Sequence, residues 1–154
     1  KEKTMNIDKL REELESDEGC KHEIYLDHFK FPTLGIGHLI TDWDEEYDME
    51  VGTTVSEERV KECFEKDVKQ VIKDCEKLYD DFDHLPEDAQ LIIANMMFNM
   101  GYTRLSKFRA MKSGVDARDW NKAADEMVDS RWYEQVPNRA KRLVDRMRSL
   151  HGSI

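Results

Sequence analysis

The stretch from Leu91 to Met100, L-I-I-A-N-M-M-F-N-M, constrains the fold most, because it is apolar nearly all the way round a helix and is broken only by Asn95 and Asn99. A helix of that kind is stable only when other elements surround it. Pro86 at a first-turn position, followed by Glu87 and Asp88, opens this helix, and Gly101 closes it. It is predicted to be the buried centre of a helical lobe, its methionines filling core rather than lining a groove.

Other helices follow from spacing. Ile7, Leu10 and Leu14 repeat at three and four over about 5–17, which leaves Glu18 in the last turn before Gly19. Ser56 with Glu57 and Glu58 reads as an N-cap and acidic first turn. The face Val60, Phe64, Val68, Val71, Ile72, Cys75 then predicts one long helix ending near Tyr79. Shorter helices are expected over Leu105 to Met111 before a break at Gly114, from a cap at Asp116 through Trp120 and Met127, over Arg131 to Gln135, and after Pro137. Between Glu23 and Thr41 the texture changes: Ile24-Tyr25-Leu26, Phe29, Phe31, Leu34 and Ile36, punctuated by Pro32, Gly35 and Gly37, predict short antiparallel strands. The fold class is α+β and mostly helical. The expected organisation is a single domain over 1–154, with a small strand-bearing lobe over 19–55 and a helical lobe over 56–154, joined by the long helix. Helix 5–18 is expected to pack on the larger lobe, with the cleft between the two.

Asp42, Asp44, Glu46 and Asp48 alternate in an acidic stretch, yet a calcium loop needs Gly at its sixth position and Glu at its twelfth, where this chain has Tyr47 and Thr53. The expectation is a solvated acidic loop. Cys20, Cys63 and Cys75 show no metal-ligand spacing and read as free thiols of a reducing compartment. No metal or organic cofactor is implied. The beginning, K-E-K-T-M-N-I-D-K, is charged, and no apolar run is long enough to span a bilayer, so a protein of the cytoplasm without signal peptide or membrane insertion is expected. A net charge of -10 argues against a nucleic-acid partner.

The segment from Ser16 to Thr41 gathers Glu18, Asp27, Thr33 and a Gly-x-Gly-His turn. Hydrolysis of a glycosidic bond needs two carboxyl groups with opposite protonation duties, one donating to the leaving oxygen and one staying ionised. Glu18 and Asp27 are candidates for that pair, although two acids nine positions apart in a chain with 38% charged residues carry little weight alone.

The surrounding pattern is more specific. D-E-G at Asp17 to Gly19, I-Y-L-D at Ile24 to Asp27, T-L-G-I-G-H at Thr33 to His38 and S-R-W-Y-E-Q-V-P-N-R-A-K-R at Ser130 to Arg142 occur in one order, and the whole resembles the phage-type lysozymes, glycoside hydrolase family 24. The resemblance runs over nearly the whole chain. It implies a muramidase of the endolysin type that cleaves the β-1,4 bond between N-acetylmuramic acid and N-acetylglucosamine in bacterial peptidoglycan, acting as a monomer. By the same comparison Glu18 is the general acid, Asp27 works from the other side of the sugar, and Thr33 helps hold the attacking water, with inversion of configuration. Leu39 and Phe98 match positions that contact glycan. His38 is implied to pair with Asp67 on the long helix, and Arg139 to reach the Asp17–Glu18 corner. Trp132 is read as a core residue rather than a sugar platform. Met111, Glu126 and Asn99 depart from the family pattern near the cleft. The alternative reading is a catalytically silent lysozyme-like glycan-binding or virion module.

Overall fold

The computed structural model describes residues 5–150; residues 1–4, at the charged beginning, and 151–154 lie outside it. Eight α-helices and a three-stranded antiparallel sheet make up the described chain, a mostly helical α+β protein as the residue pattern implied. The order is α1 (Ile7–Glu18), β1 (Lys21–Leu26), β2 (Pro32–Gly35), β3 (His38–Leu39), α2 (Glu57–Leu78), α3 (Glu87–Met100), α4 (Tyr102–Leu105), α5 (Arg109–Asp116), α6 (Trp120–Val128), α7 (Arg131–Gln135) and α8 (Pro137–Ser149). These residues divide into two compact units, Arg11–Gln70 and a second formed by 5–10 with 71–150, the second boundary falling inside α2.

In the helical unit, α3 is buried from Ala89 to Met97. Full burial of each large apolar side chain stabilises by about 1.5–3 kcal/mol, so this helix contributes substantially to the stability of the unit. Asn95, in the same run, is wholly buried and accepts from Arg139 Nε of α8 through Oδ1 at 2.8 Å. The beginning of α1 is tied in by the Asn6 amide, which donates to Glu87 Oε2 at 2.9 Å.

Several boundaries depart from the sequence expectation. Pro86 is the N-cap of α3, not its first turn. Gly114 lies inside α5 and does not end it, because a Cβ there would meet the Ala123 backbone nitrogen at 2.8 Å; the missing side chain lets α5 and α6 approach closely. The cap of α6 is Asp119, whose carboxylate accepts from the Lys122 amide, while Asp116 is the last residue of α5.

In the other unit, β1, β2 and β3 follow each other as neighbours. Tyr25 lies opposite Thr33, and Thr33 opposite Leu39; Ile24 lies opposite Leu34, and Leu34 opposite His38. Directly opposed residues share a face, so Tyr25, Thr33 and Leu39 are on one side and Ile24, Leu34 and His38 on the other. The second side meets α2 through His38, which bonds Asp67, and Gly35 also sits so close to Val60 of α2 that a Cβ would come within 2.9 Å. Ser56 caps α2 by accepting from the Arg59 amide at 3.1 Å.

The acidic loop is not uniformly solvated. Glu46 is 5% exposed and the Asp44 side chain 7%, because both turn inward onto Arg59. Buried charge persists only when paired, and Arg59 supplies a planar fork: Nε and Nη2 bond the two Glu46 oxygens at 2.8 and 2.9 Å, and Nη2 reaches Asp44 Oδ1 at 3.2 Å.

Candidate active site

Glu18 is the last residue of α1, half-buried, and its carboxyl lies against the glycine turn between β2 and β3. A Cβ on Gly37 would fall 2.7 Å from Glu18 Oε1, and Gly37 has φ +63°, so this position takes glycine both for its backbone and for the approach of the acid. Helix end and sheet turn are thereby locked together at Glu18.

Asp27 follows β1 at the tip of the hairpin. Its Oδ1 accepts from the amides of Phe29 and Phe31 at 2.8 and 2.9 Å, and its backbone exchanges hydrogen bonds with Phe31 and Lys30. An aspartate is favoured at such a turn because its short carboxylate satisfies amides that no strand partner reaches. Thr33 is 2% exposed and donates from Oγ1 to the Phe31 carbonyl at 2.8 Å. Its proton is therefore committed, and toward a water the hydroxyl is left as an acceptor.

Tyr25 links these groups, and the sequence reading gave it no role. Burial raises its phenol pKa, a hydrogen bond with the Gly37 backbone opposes that, and the charges of Glu18 and Asp27 raise it further. Both carboxyl groups are thus electrostatic neighbours of one phenol, which stands directly across the ladder from Thr33. The I-Y-L-D motif was the available signal. Leu39 lies beside Thr33 on the same face, half exposed.

On the opposite face His38 bonds Asp67 Oδ2 through Nδ1 at 2.7 Å and Asp44 Oδ2 through Nε2 at 3.0 Å. Burial alone would lower the imidazole pKa, but the hydrogen bonds to Asp67, Cys63 and Asp44 and the Asp67 charge push it up to about 11. At neutral pH the ring is an imidazolium donating from both nitrogens. Asp67 was anticipated; Asp44 and Cys63 were not, since no motif links residues 6 and 25 positions from His38.

Phe98 and Arg139 belong to the helical unit. Phe98 is half-buried near the end of α3, and Arg139 is 8% exposed on α8, bonded to Asn95. Trp132 is 2% exposed and donates from Nε1 to Asn99 Oδ1 at 2.8 Å, a core tryptophan with its one polar atom satisfied. Met111 is fully buried, and with Glu126, Phe108 and Asp129 it lines a pocket of the same unit.

A helix-borne glutamate thus lies on a glycine turn, with an aspartate and a threonine in the adjoining hairpin. Comparison with known proteins makes the protein a glycoside hydrolase. The family described as phage lysozyme matches residues 15–149. The chain belongs to the phage lysozyme family. It is 33% identical over 157 aligned residues to a protein named probable T4-type lysozyme 2 of Dictyostelium discoideum, covering 90% of this chain and 92% of that protein. It is 30% identical to the pre-baseplate central spike protein Gp5 of Enterobacteria phage T4, covering 88% of this chain and 27% of that protein. It is also 30% identical to the peptidoglycan hydrolase gp36 of Pseudomonas phage phiKMV, covering 89% of this chain and 15% of that one.

Proposed function

We propose that the protein is a muramidase of the endolysin type, hydrolysing the β-1,4 bond between N-acetylmuramic acid and N-acetylglucosamine of bacterial peptidoglycan with inversion. Glu18 protonates the leaving oxygen. Asp27 and Thr33 steer a water to the opposite face of the sugar, Thr33 accepting one of its protons in a hydrogen bond and Asp27 taking the other as the bond breaks. Leu39 and Phe98 contact glycan, and Arg139 serves as structural support. The enzyme works as a monomer, made in the host cytoplasm and acting on the wall after release.

One observation carries this reading: the Glu18 carboxyl lies against Gly37 in the turn that follows β2, the strand that holds Thr33, and Asp27 sits just past β1, the strand paired with β2. Family membership supports the substrate class. Among the described residues no helix is long and apolar enough to cross a membrane. Purified sacculi digested with the parent, Glu18→Gln and Asp27→Asn, with fragments identified by mass, provide the test. Muropeptides from the parent and a loss of at least about 100-fold in both variants are expected.

A second reading, a silent module of a virus particle, draws on the similarity to a spike protein. Binding of the parent to sacculi without new reducing ends selects it.

A further inference from the structure

We propose that His38, Asp44 and Cys63 form a zinc site that fastens β3 and the following loop to α2. One ligand atom from each, an imidazole nitrogen, a carboxylate oxygen and a thiol sulfur, all lie within 4.8 Å of one another. The three residues come from β3, the 40–56 connection and α2, so the fold, not local sequence, assembles them.

The donor set suits zinc. Imidazole, thiolate and carboxylate together match a borderline-soft cation, and three protein ligands leave one position for water. With zinc bonds of the usual lengths, neighbouring ligand atoms of a tetrahedron stand about 3.3–3.6 Å apart. The 3.0 Å between His38 Nε2 and Asp44 Oδ2 opens slightly to that value, and side-chain rotation of Cys63 supplies the rest.

The surroundings are arranged as outer support for such a site. Asp67 Oδ2 holds His38 Nδ1 at 2.7 Å, which fixes the ring with Nε2 aimed at Asp44, the carboxylate–histidine relay common behind metal-bound imidazoles. Asp44 is steadied on its other oxygen by Arg59 Nη2 at 3.2 Å, and the Thr41 amide donates to Oδ2 at 2.9 Å. Cys63 is 1% exposed, His38 13% and Asp44 7% by side chain. That burial strengthens charge interactions and shields the thiolate from oxidation.

Binding is an exchange. Hydrated Zn²⁺ enters, the His38 imidazolium gives up its Nε2 proton and the Cys63 thiol its proton, and two protons leave with the displaced waters. Asp67 keeps the Nδ1 proton in its hydrogen bond throughout. Neutral imidazole, thiolate and carboxylate then offset the charge of the ion.

The full chain, reduced and stripped with chelator, is titrated with CoCl₂ and with ZnCl₂. The expected result is one equivalent bound, with a thiolate-to-cobalt charge-transfer band and the visible bands of tetrahedral cobalt, bleached by zinc. Cys20→Ser, which removes the exposed thiol, retains the band; Cys63→Ser loses it; Asp67→Asn keeps it but weakens zinc about 10–100-fold. Should Cys63→Ser not fold, Asp44→Asn with an unchanged circular dichroism spectrum must weaken zinc by more than about tenfold. No charge-transfer band in the parent, a band that survives Cys63→Ser, or one that disappears with Cys20→Ser overturns the site.

Discussion

The Glu18 carboxyl rests on the α-carbon of Gly37, so close that a methyl group there would stand 2.7 Å from Oε1. A side chain at residue 37 therefore displaces the acid before it disturbs the core. Gly37→Ala is expected to cut kcat by about 100-fold, the effect of moving a reacting group by roughly 1 Å. The positive φ adds about 1–2 kcal/mol of strain. Reducing-end release against thermal unfolding measures both; a variant that loses stability while keeping kcat would show that Gly37 serves only the turn.

Asp27 has two separable duties. Asparagine retains an oxygen that can accept from the Phe29 and Phe31 amides but removes the charge. Asp27→Asn should therefore leave the melting temperature within a few degrees of the parent while activity drops at least about 100-fold. Asp27→Ala loses the turn bonds as well and should unfold about 1 kcal/mol more easily. Equal stability losses in the two variants would argue that the turn bonds contribute nothing.

His38 stands between Asp44 and Asp67, and its removal takes the imidazolium from both carboxylates, leaving Asp44 to Arg59 and the Thr41 amide. His38→Asn should cost about 3 kcal/mol, at the lower end for breaking a buried ion pair. Urea unfolding at neutral pH with chelator present gives the value. A cost under about 1 kcal/mol would mean that water solvates Asp67 and Asp44 well enough without the imidazolium.

Arg11 grips Glu65 with both prongs, Nε to Oε2 at 2.6 Å and Nη2 to Oε1 at 2.7 Å, tying α1, which ends in Glu18, to α2. The hydrogen bonding and charge of Arg11 hold the Glu65 carboxyl below its ordinary 4.5. A depressed carboxylate contributes stability above the unfolded value and loses it as pH falls from about 4.5 through the lowered folded value. Both side chains are over a third exposed, so the contribution is under about 1 kcal/mol and salt weakens it. Glu65→Gln should differ from the parent in unfolding free energy at pH 6 and converge with it as the pH drops to 2. A gap that stays constant across that range would trace to packing rather than to charge.

The helices were legible because period and caps are local properties: the apolar run of α3, the Ser56 cap of α2 and the Pro137 start of α8 each state their position within a few residues. The D-E-G, I-Y-L-D and T-L-G-I-G-H elements made Glu18, Asp27 and Thr33 candidates through the family resemblance, since each motif sits in one short stretch. Gly114 misled because a glycine that ends a helix and one that admits a neighbouring helix look alike in sequence. Strand pairing alone decided that Tyr25 faces Thr33 while His38 turns to the other side, a consequence of register that no single strand contains. Only the folded chain could bury Asp44 and Glu46 on Arg59 and bring Cys63 to His38, because charge pairing across 13–25 residues depends on where the backbone has already been placed, and composition is blind to distance.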